Sequence, residues 1–263
     1  MGVTTGMNDS LDALLAKYGA DADRPVYDQP AAFTAFVRGG GNVNLYERLS
    51  EQLAAGYDEA RPEALLDIGC GDGLALVPAL ESAGHVPSRI DLVEPSAPLL
   101  DAATKQFADI NTEVHAWQQS AQEFFAQLDE RQWDRAQATF SLQSVPPDDR
   151  ASVLKALREH TDVLTIAEFD VPVQVEGTPE QVQSLVSRYE RGIAEYGEEA
   201  QLVARGFLLP VLLGQVDPKV ARTNWEQPAA SWVDQLTEAG FTEIDVEPLA
   251  DYWWAPAVLI TAS

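Results

Sequence analysis

The 263-residue chain contains one cysteine, three histidines and two methionines. A lone cysteine, Cys70, excludes an internal disulfide framework, a four-cysteine zinc site and the three-cysteine cluster of iron–sulfur radical chemistry, so no metal is expected. No run of 18 apolar residues occurs, and MGVTTGMNDS is neither basic nor apolar. Neither a membrane span nor a secretory leader is therefore expected, and the protein reads as cytoplasmic. Basic residues are scarce too: 17 Lys and Arg stand against 42 Asp and Glu, a net charge of −25 at pH 7. A field of that sign repels phosphate backbones and anionic lipid head groups, so nucleic acid and membrane surfaces are not expected partners. It mildly favours cationic ligands, although acidity of this kind can serve solubility alone.

What the chain has is material for a large core, 46% hydrophobic and 8% aromatic, enough for one domain or one domain with a lid. The organising stretch is Leu65-Leu66-Asp67-Ile68-Gly69-Cys70-Gly71-Asp72-Gly73: an apolar run, an acid and three alternating glycines ahead of a helix-compatible segment over 74–83. It reads as a buried strand, a tight turn and a helix start. Turn glycines remove every Cβ, so a nucleotide-like ligand can lie against bare backbone beside the amides that open the helix. A dinucleotide fingerprint would need G-x-G-x-x-G, whereas the order here is Gly69-x-Gly71-x-Gly73. Asp67 also stands where phosphate would be repelled and where an amino group or sulfonium would be welcome. LLDIGCGDG resembles the first motif of the class I S-adenosylmethionine-dependent methyltransferases.

Around that stretch the chain divides into three parts. Residues 1–60 are helical in pattern, with helices near 11–18, 31–38 and 43–53 broken by glycines. From 64 to 170 strand and helix patterns alternate, the signature of a parallel sheet covered on both faces. Strands are expected over 64–69, 89–93, 112–117, 133–141 and 161–169. The alternation breaks over 171–228, read as an inserted helical segment, and resumes as helix, strand, strand to the end. The last two strands are joined too closely for a crossover, so the last must run antiparallel. The expected fold is α/β: a seven-stranded, mostly parallel, doubly wound sheet with an antiparallel last strand (61–170 and 229–263). Residues 1–60 and 171–228 are expected to act as helical lids.

Glu94 closes the second strand about 20 residues beyond the glycine turn, the position from which a carboxylate reaches both ribose hydroxyls. The resemblance adds further cofactor contacts: Asp67, Gly69, Gly71, Glu94 and Pro95 at the exits of the first two strands, and Gln119, Ser120 or Ala121 at the adenine. Phe140 and Gln143, within FSLQSVPPDDR, which is similar to the family's fourth motif, fall at the methionine part. Tyr27 and Arg38 come from the first lid, with Arg38 a candidate for the cofactor's carboxylate.

Ligands of an open parallel sheet bind outside the carboxyl ends of its strands. By that rule His85 and His160 fall on the wrong edge and His115 inside a strand, so no histidine is placed to serve as a base. Glu168 and Asp170 close the fifth strand and Tyr252 opens the last; these are the candidate catalytic groups. Tyr46, Trp225, Trp253 and Trp254 are candidates for the substrate, each with core packing as the alternative use of an aromatic ring. Methyl transfer needs alignment and exclusion of water more than strong acid–base help. The implied activity is methylation of an oxygen or nitrogen on a small molecule by a monomer or homodimer. A preference for arginine (13) over lysine (4) points weakly to a GC-rich genome and to bacterial secondary metabolism. Two alternatives stay open: a protein that binds S-adenosylmethionine without transferring methyl, as a pericyclic catalyst or regulator, and a nicotinamide-dependent oxidoreductase.

Overall fold

The computed structural model describes residues 5–21 and 29–263. Seven strands form a single sheet: β1 (Ala64–Ile68), β2 (Arg89–Val93), β3 (Glu113–Trp117), β4 (Trp133–Thr139), β5 (Thr161–Phe169), β6 (Ile244–Ala250) and β7 (Ala257–Ala262). Their order is β3-β2-β1-β4-β5-β7-β6. The pairs among β1 to β5 are parallel, and β7 runs antiparallel to both β5 and β6, so β7 is the one reversed strand. Expected and observed bounds coincide for β2 and β5. The first, third and fourth strands are shorter than expected: β1 and β4 stop where Gly69 and Phe140 take a positive φ, and β3 starts one residue later, at Glu113.

The chain divides into two compact units. The sheet unit comprises Leu45–Val171, Glu226–Asp251 and Pro256–Ser263. Its helices include most of α3 (Asn42–Ala60), then α4 (Leu76–Ser82), α5 (Ala97–Lys105), α6 (Ala121–Ala126), α7 (Pro147–His160) and α11 (Ala229–Ala239). Strand side chains alternate between faces, and the alternation here separates two chemistries. Leu66, Ile68, Ala136, Ala138, Leu164, Ile166 and Ile260 join Leu154 and Leu157 of α7 and Trp232 and Leu236 of α11 in one apolar core. The opposite face of β1, β4 and β5 turns Asp67, Arg135, Gln137 and Thr165 inward, and Tyr57 of α3 packs there, fully buried.

The other unit holds the described part of Met1–Asn44, with Pro172–Trp225 and Tyr252–Ala255. It contains α1 (Thr5–Tyr18), α2 (Pro30–Val37), α8 (Pro179–Ala194) and a helical run made of α9 (Ala200–Val203), a π-helical turn (Ala204–Leu208) and α10 (Leu209–Val216). The wide turn seats Gly206 against α2, where a Cβ would meet that of Ala32 at 2.5 Å, and Phe207 stacks on Phe36 with centroids 4.3 Å apart. Asn42 ties the unit together: its Nδ2 donates to Phe36 O (2.8 Å) and Tyr196 Oη (3.0 Å), and its Oδ1 accepts from Tyr252 Oη (3.0 Å).

Two expectations change here. The unit boundary falls inside α3, between Asn44 and Leu45, ahead of residue 60, because Leu45, Leu49, Leu53 and Tyr57 are all core residues of that helix. Tyr252, Trp253 and Trp254 do not open the last strand, which begins at Ala257. They form a loop of the helical unit, where Trp253 lies flat over Gly192, 2.7 Å from where a Cβ would stand, and Tyr189 meets both indoles edge-on.

Candidate functional site

The sheet's order reverses between β1 and β4, the switch point at which an open α/β sheet leaves a crevice. The β1 exit is built from backbone. Gly69 N donates to Val93 O (2.7 Å) and Gly73 N to Cys70 O (3.0 Å), closing the turn that starts α4. Gly69 and Gly71 have φ of +68° and +56°, conformations that L side chains rarely adopt. Their surroundings differ. A Cβ on Gly69 would stand 2.4 Å from that of Ser141, whereas one on Gly71 would meet nothing within 4 Å. The first glycine is required by the approach of the β4 exit; the second leaves an open space that a side chain would fill.

Glu94, just past β2, is 8% exposed. Its Oε2 accepts from Gly71 N (3.1 Å) and its Oε1 from Ser96 N (2.9 Å), so the carboxylate pins the glycine turn to the next strand exit. A carboxylate has about four lone-pair sites, and each oxygen keeps capacity for another donor. Burial raises its pKa despite those two bonds. Asp67, 1% exposed, accepts from Gln137 Nε2 at 3.0 Å through Oδ2, while its Oδ1 is buried with no partner. Burial pushes its pKa up to about 7, with the neighbouring Glu94 adding to the rise.

The β4 exit faces this turn. Ser141 Oγ donates to Ile68 O (2.6 Å), locking the two exits together. Phe140 takes φ +54°, a strained choice for a bulky residue of the kind that collects at ligand sites. Its ring stacks on Phe169 (4.7 Å) and meets Tyr46 edge-on (6.0 Å), giving a wall of half-buried aromatics. Gln143 donates Nε2 to Phe140 O (3.2 Å) and leaves Oε1 buried without a partner. Glu168, 1% exposed, accepts from Gln143 N at 3.0 Å. Burial raises its pKa to about 8, with Arg150 opposing the rise. At neutral pH it is an acid that holds the exit loop rather than a ready base.

The other expected residues are distributed as follows. Ser120 caps α6 in a reciprocal box with Glu123, donating Oγ to its Oε2 (2.9 Å) and accepting from its N (3.2 Å). The hydroxyl is thus occupied, and Gln119, bonded only weakly to Gln127 at 3.3 Å, and the Ala121 backbone stand beside it. Pro95 is exposed next to Glu94. Asp170 accepts from Ala229 N (2.8 Å), which ties the end of β5 to the start of α11. Arg38, Trp225, Tyr252, Trp253 and Trp254 belong to the helical unit, and Tyr27 lies outside the described residues. His85 and His160 bond to the carbonyls of Pro62 and Arg131 (2.8 and 2.7 Å), and His115 pairs with Glu113 (3.1 Å). Phe169, Tyr57 and Gln137 were not among the expected residues. A glutamine set between two alanines, Ala136 and Ala138, in the middle of β4 was the available signal for the last of these.

A sheet in this order, with a glycine turn at its switch point and a carboxylate closing the neighbouring strand, defines the class I S-adenosylmethionine-dependent methyltransferase architecture. Residues 66–162 match the family described as "Methyltransferase domain". No curated protein matches the sequence. Among solved structures, the mitomycin 7-O-methyltransferase is 15% identical with a TM-score of 0.57, the match covering 98% of this chain and 66% of that one. Magnesium protoporphyrin IX methyltransferase from Synechocystis PCC 6803, with S-adenosylmethionine bound, is 12% identical with a TM-score of 0.55, covering 90% and 92%. A small RNA methyltransferase is also 12% identical (TM-score 0.55), covering 83% of this chain but only 25% of its own length. At such identities the likeness is one of fold.

Proposed function

We propose that this protein transfers the methyl group of S-adenosylmethionine to an oxygen or nitrogen on a small molecule. The observation that carries the reading is the pairing of the open space over Gly71 with Glu94. That carboxylate is already bonded to the turn and keeps acceptor capacity for two ribose hydroxyls. The orphaned Asp67 Oδ1 beside the same turn fits a positively charged ligand better than a pyrophosphate. When bound, the cofactor supplies an electrophilic methyl on a sulfonium. The protein's part is to hold the acceptor in line, to exclude water and to offer aromatic faces to the positive charge, work suited to Tyr46, Phe140 and Phe169.

A small acceptor is favoured over a nucleic acid by the net charge of −25, which opposes approach of a phosphate backbone. The mitomycin and protoporphyrin enzymes that share the fold are, by name, methyltransferases of small molecules. Residues 1–60 and 171–228, the expected lids, are the segments in which acceptor choice would be sought. The test is a thermal-shift screen with S-adenosylmethionine, S-adenosylhomocysteine and NAD, followed by labelled-methyl transfer to amines, phenols and carboxylic acids. Stabilisation by the first two and label in one acceptor class is the expected result. Stabilisation by NAD alone would replace this reading with an oxidoreductase. Binding of S-adenosylmethionine with no transfer to any acceptor would leave a non-methylating binder.

A further inference from the structure

The sheet face beneath α3 carries a polar chain for which methyl transfer has no evident use. Tyr57 Oη donates to Gln137 Oε1 at 2.6 Å, and Gln137 Nε2 donates to Asp67 Oδ2 at 3.0 Å. All three residues are at most 1% exposed. Because a phenol must donate to the carboxamide oxygen, the amide nitrogen is forced toward the acid. One oxygen of Asp67 is thereby occupied and the other, Oδ1, is left buried and unpartnered. An orphaned acid oxygen in a core is costly unless a ligand completes it.

Among the described residues no cation completes it. Glu94 lies near it at the end of β2, and the Cys70 thiol stands in the turn. Tyr57 reaches down from α3, and Arg135 of β4 bonds Thr165 Oγ1 at 2.7 Å and acts on Tyr57. We infer that binding of S-adenosylmethionine releases one proton from Asp67, and that Tyr57 and Gln137 are positioning residues that set this exchange. The inference rests on the cofactor reading above. In the free protein below neutrality the carboxyl is held uncharged by burial. A positive charge bound beside it would favour the carboxylate, so a neutral acid and a cation would become an ion pair and the proton would pass to the buffer. The direction of its shift, up to about 7, puts the exchange within the physiological range.

The experiment is titration calorimetry of the full chain with S-adenosylmethionine at pH 6.0 in two buffers of different ionisation enthalpy. At that pH an α-amino group, with a pKa of about 7.7–8.0, stays protonated, so a released proton comes from the protein. Close to one proton should be released. The Kd should tighten by up to about tenfold per unit as pH rises from 6 toward 7. Asp67→Asn should abolish the release and flatten the profile, while Glu94→Gln should bind more weakly but still release the proton. Tyr57→Phe and Gln137→Leu should move the rise in affinity to higher pH; a merely structural role would weaken binding equally at every pH. Binding without buffer-dependent heat, or release persisting in Asp67→Asn, overturns the inference and leaves the cofactor reading intact. Absence of any binding overturns both, and Tyr57→Phe, close to isosteric, keeps the test open if Gln137→Leu does not fold.

Discussion

The two edges of the parallel sheet are made from the same strands and differ in how their polar groups are satisfied. At the amino edge the polar groups around the strand starts find local partners. Glu63 N and Ala64 N donate to Asp134 Oδ2 at 2.7 and 2.8 Å, and His85 N donates to Asp58 Oδ1 at 2.8 Å. Ser88 Oγ bonds Glu63 O at 3.0 Å, and Arg89 bonds Gln132 O at 2.7 Å. At the carboxyl edge buried acceptors are left over on Asp67 and Gln143, Phe140 holds a positive φ, and three acids have raised pKa values. Unmet hydrogen bonds and strain cost stability, and folds keep them where a ligand or a moving loop makes use of them. The amino edge holds the sheet together; the carboxyl edge is left incomplete.

The sharpest way to probe that difference is to substitute the two glycines of one turn. Gly69→Ala forces a Cβ into Ser141 at a positive φ and should cost about 2–5 kcal/mol of stability, from overpacking and left-handed strain together. Gly71→Ala, with open space around it, should cost only the strain, about 1–2 kcal/mol, yet it should lose cofactor affinity. Urea denaturation beside a binding isotherm separates them. If both variants lost stability alike and Gly71→Ala bound normally, the open space would not be a ligand's.

Glu94→Ala comes next. It should weaken S-adenosylmethionine binding by about 1.5–3 kcal/mol, the range for hydrogen bonds to a charged group; equal affinity by calorimetry would remove the ribose assignment. The raised acids give a pH test. Glu168 has its pKa lifted from 4.5 to about 8 in the folded state, so the native protein binds the extra proton. Its contribution to stability is present below the unfolded value and is lost as pH rises from about 4.5 through 8. Glu168→Gln keeps an acceptor for Gln143 N and should flatten that decline in denaturation midpoints measured from pH 5 to 8. An unchanged slope would mean that Glu168 is ionised in the fold.

Much of the carboxyl edge could be read from the chain because its signals are local. Alternating glycines, an acid at a fixed offset and apolar runs of strand length each follow from the few residues they involve. Ser120 shows where local reading was incomplete: Ser120-Ala121-Gln122-Glu123 is also a capping-box sequence, and the helix start took the hydroxyl. Tyr252, Trp253 and Trp254 show a different failure. An aromatic run beside a strand looks like strand, but here Gly192 offers a flat seat on α8 and the indoles pack there. The chain Tyr57–Gln137–Asp67 spans residues far apart in sequence, and no spacing rule links a helix tyrosine to a strand glutamine.

The smallest effects should come from the amino edge, and they bear on the comparison as much as the large ones. A histidine is the usual proton carrier near neutral pH, and three are available. His85 and His160 are bound to main-chain carbonyls at the amino edge, and His115 lies in edge strand β3 beside Glu113. Replacing His85 or His115 with alanine removes one polar contact, and replacing His160 removes its bond to Arg131 O and a longer contact with Gln132 at 3.4 Å, about 0.5–1.5 kcal/mol of stability for each hydrogen bond. Cofactor affinity and turnover should stay within about twofold, the scale of substitutions away from buried or strained features. A folded His115→Ala protein without turnover would mean that proton transfer runs along β3. The division between a finished edge and an unfinished one would then have to be redrawn.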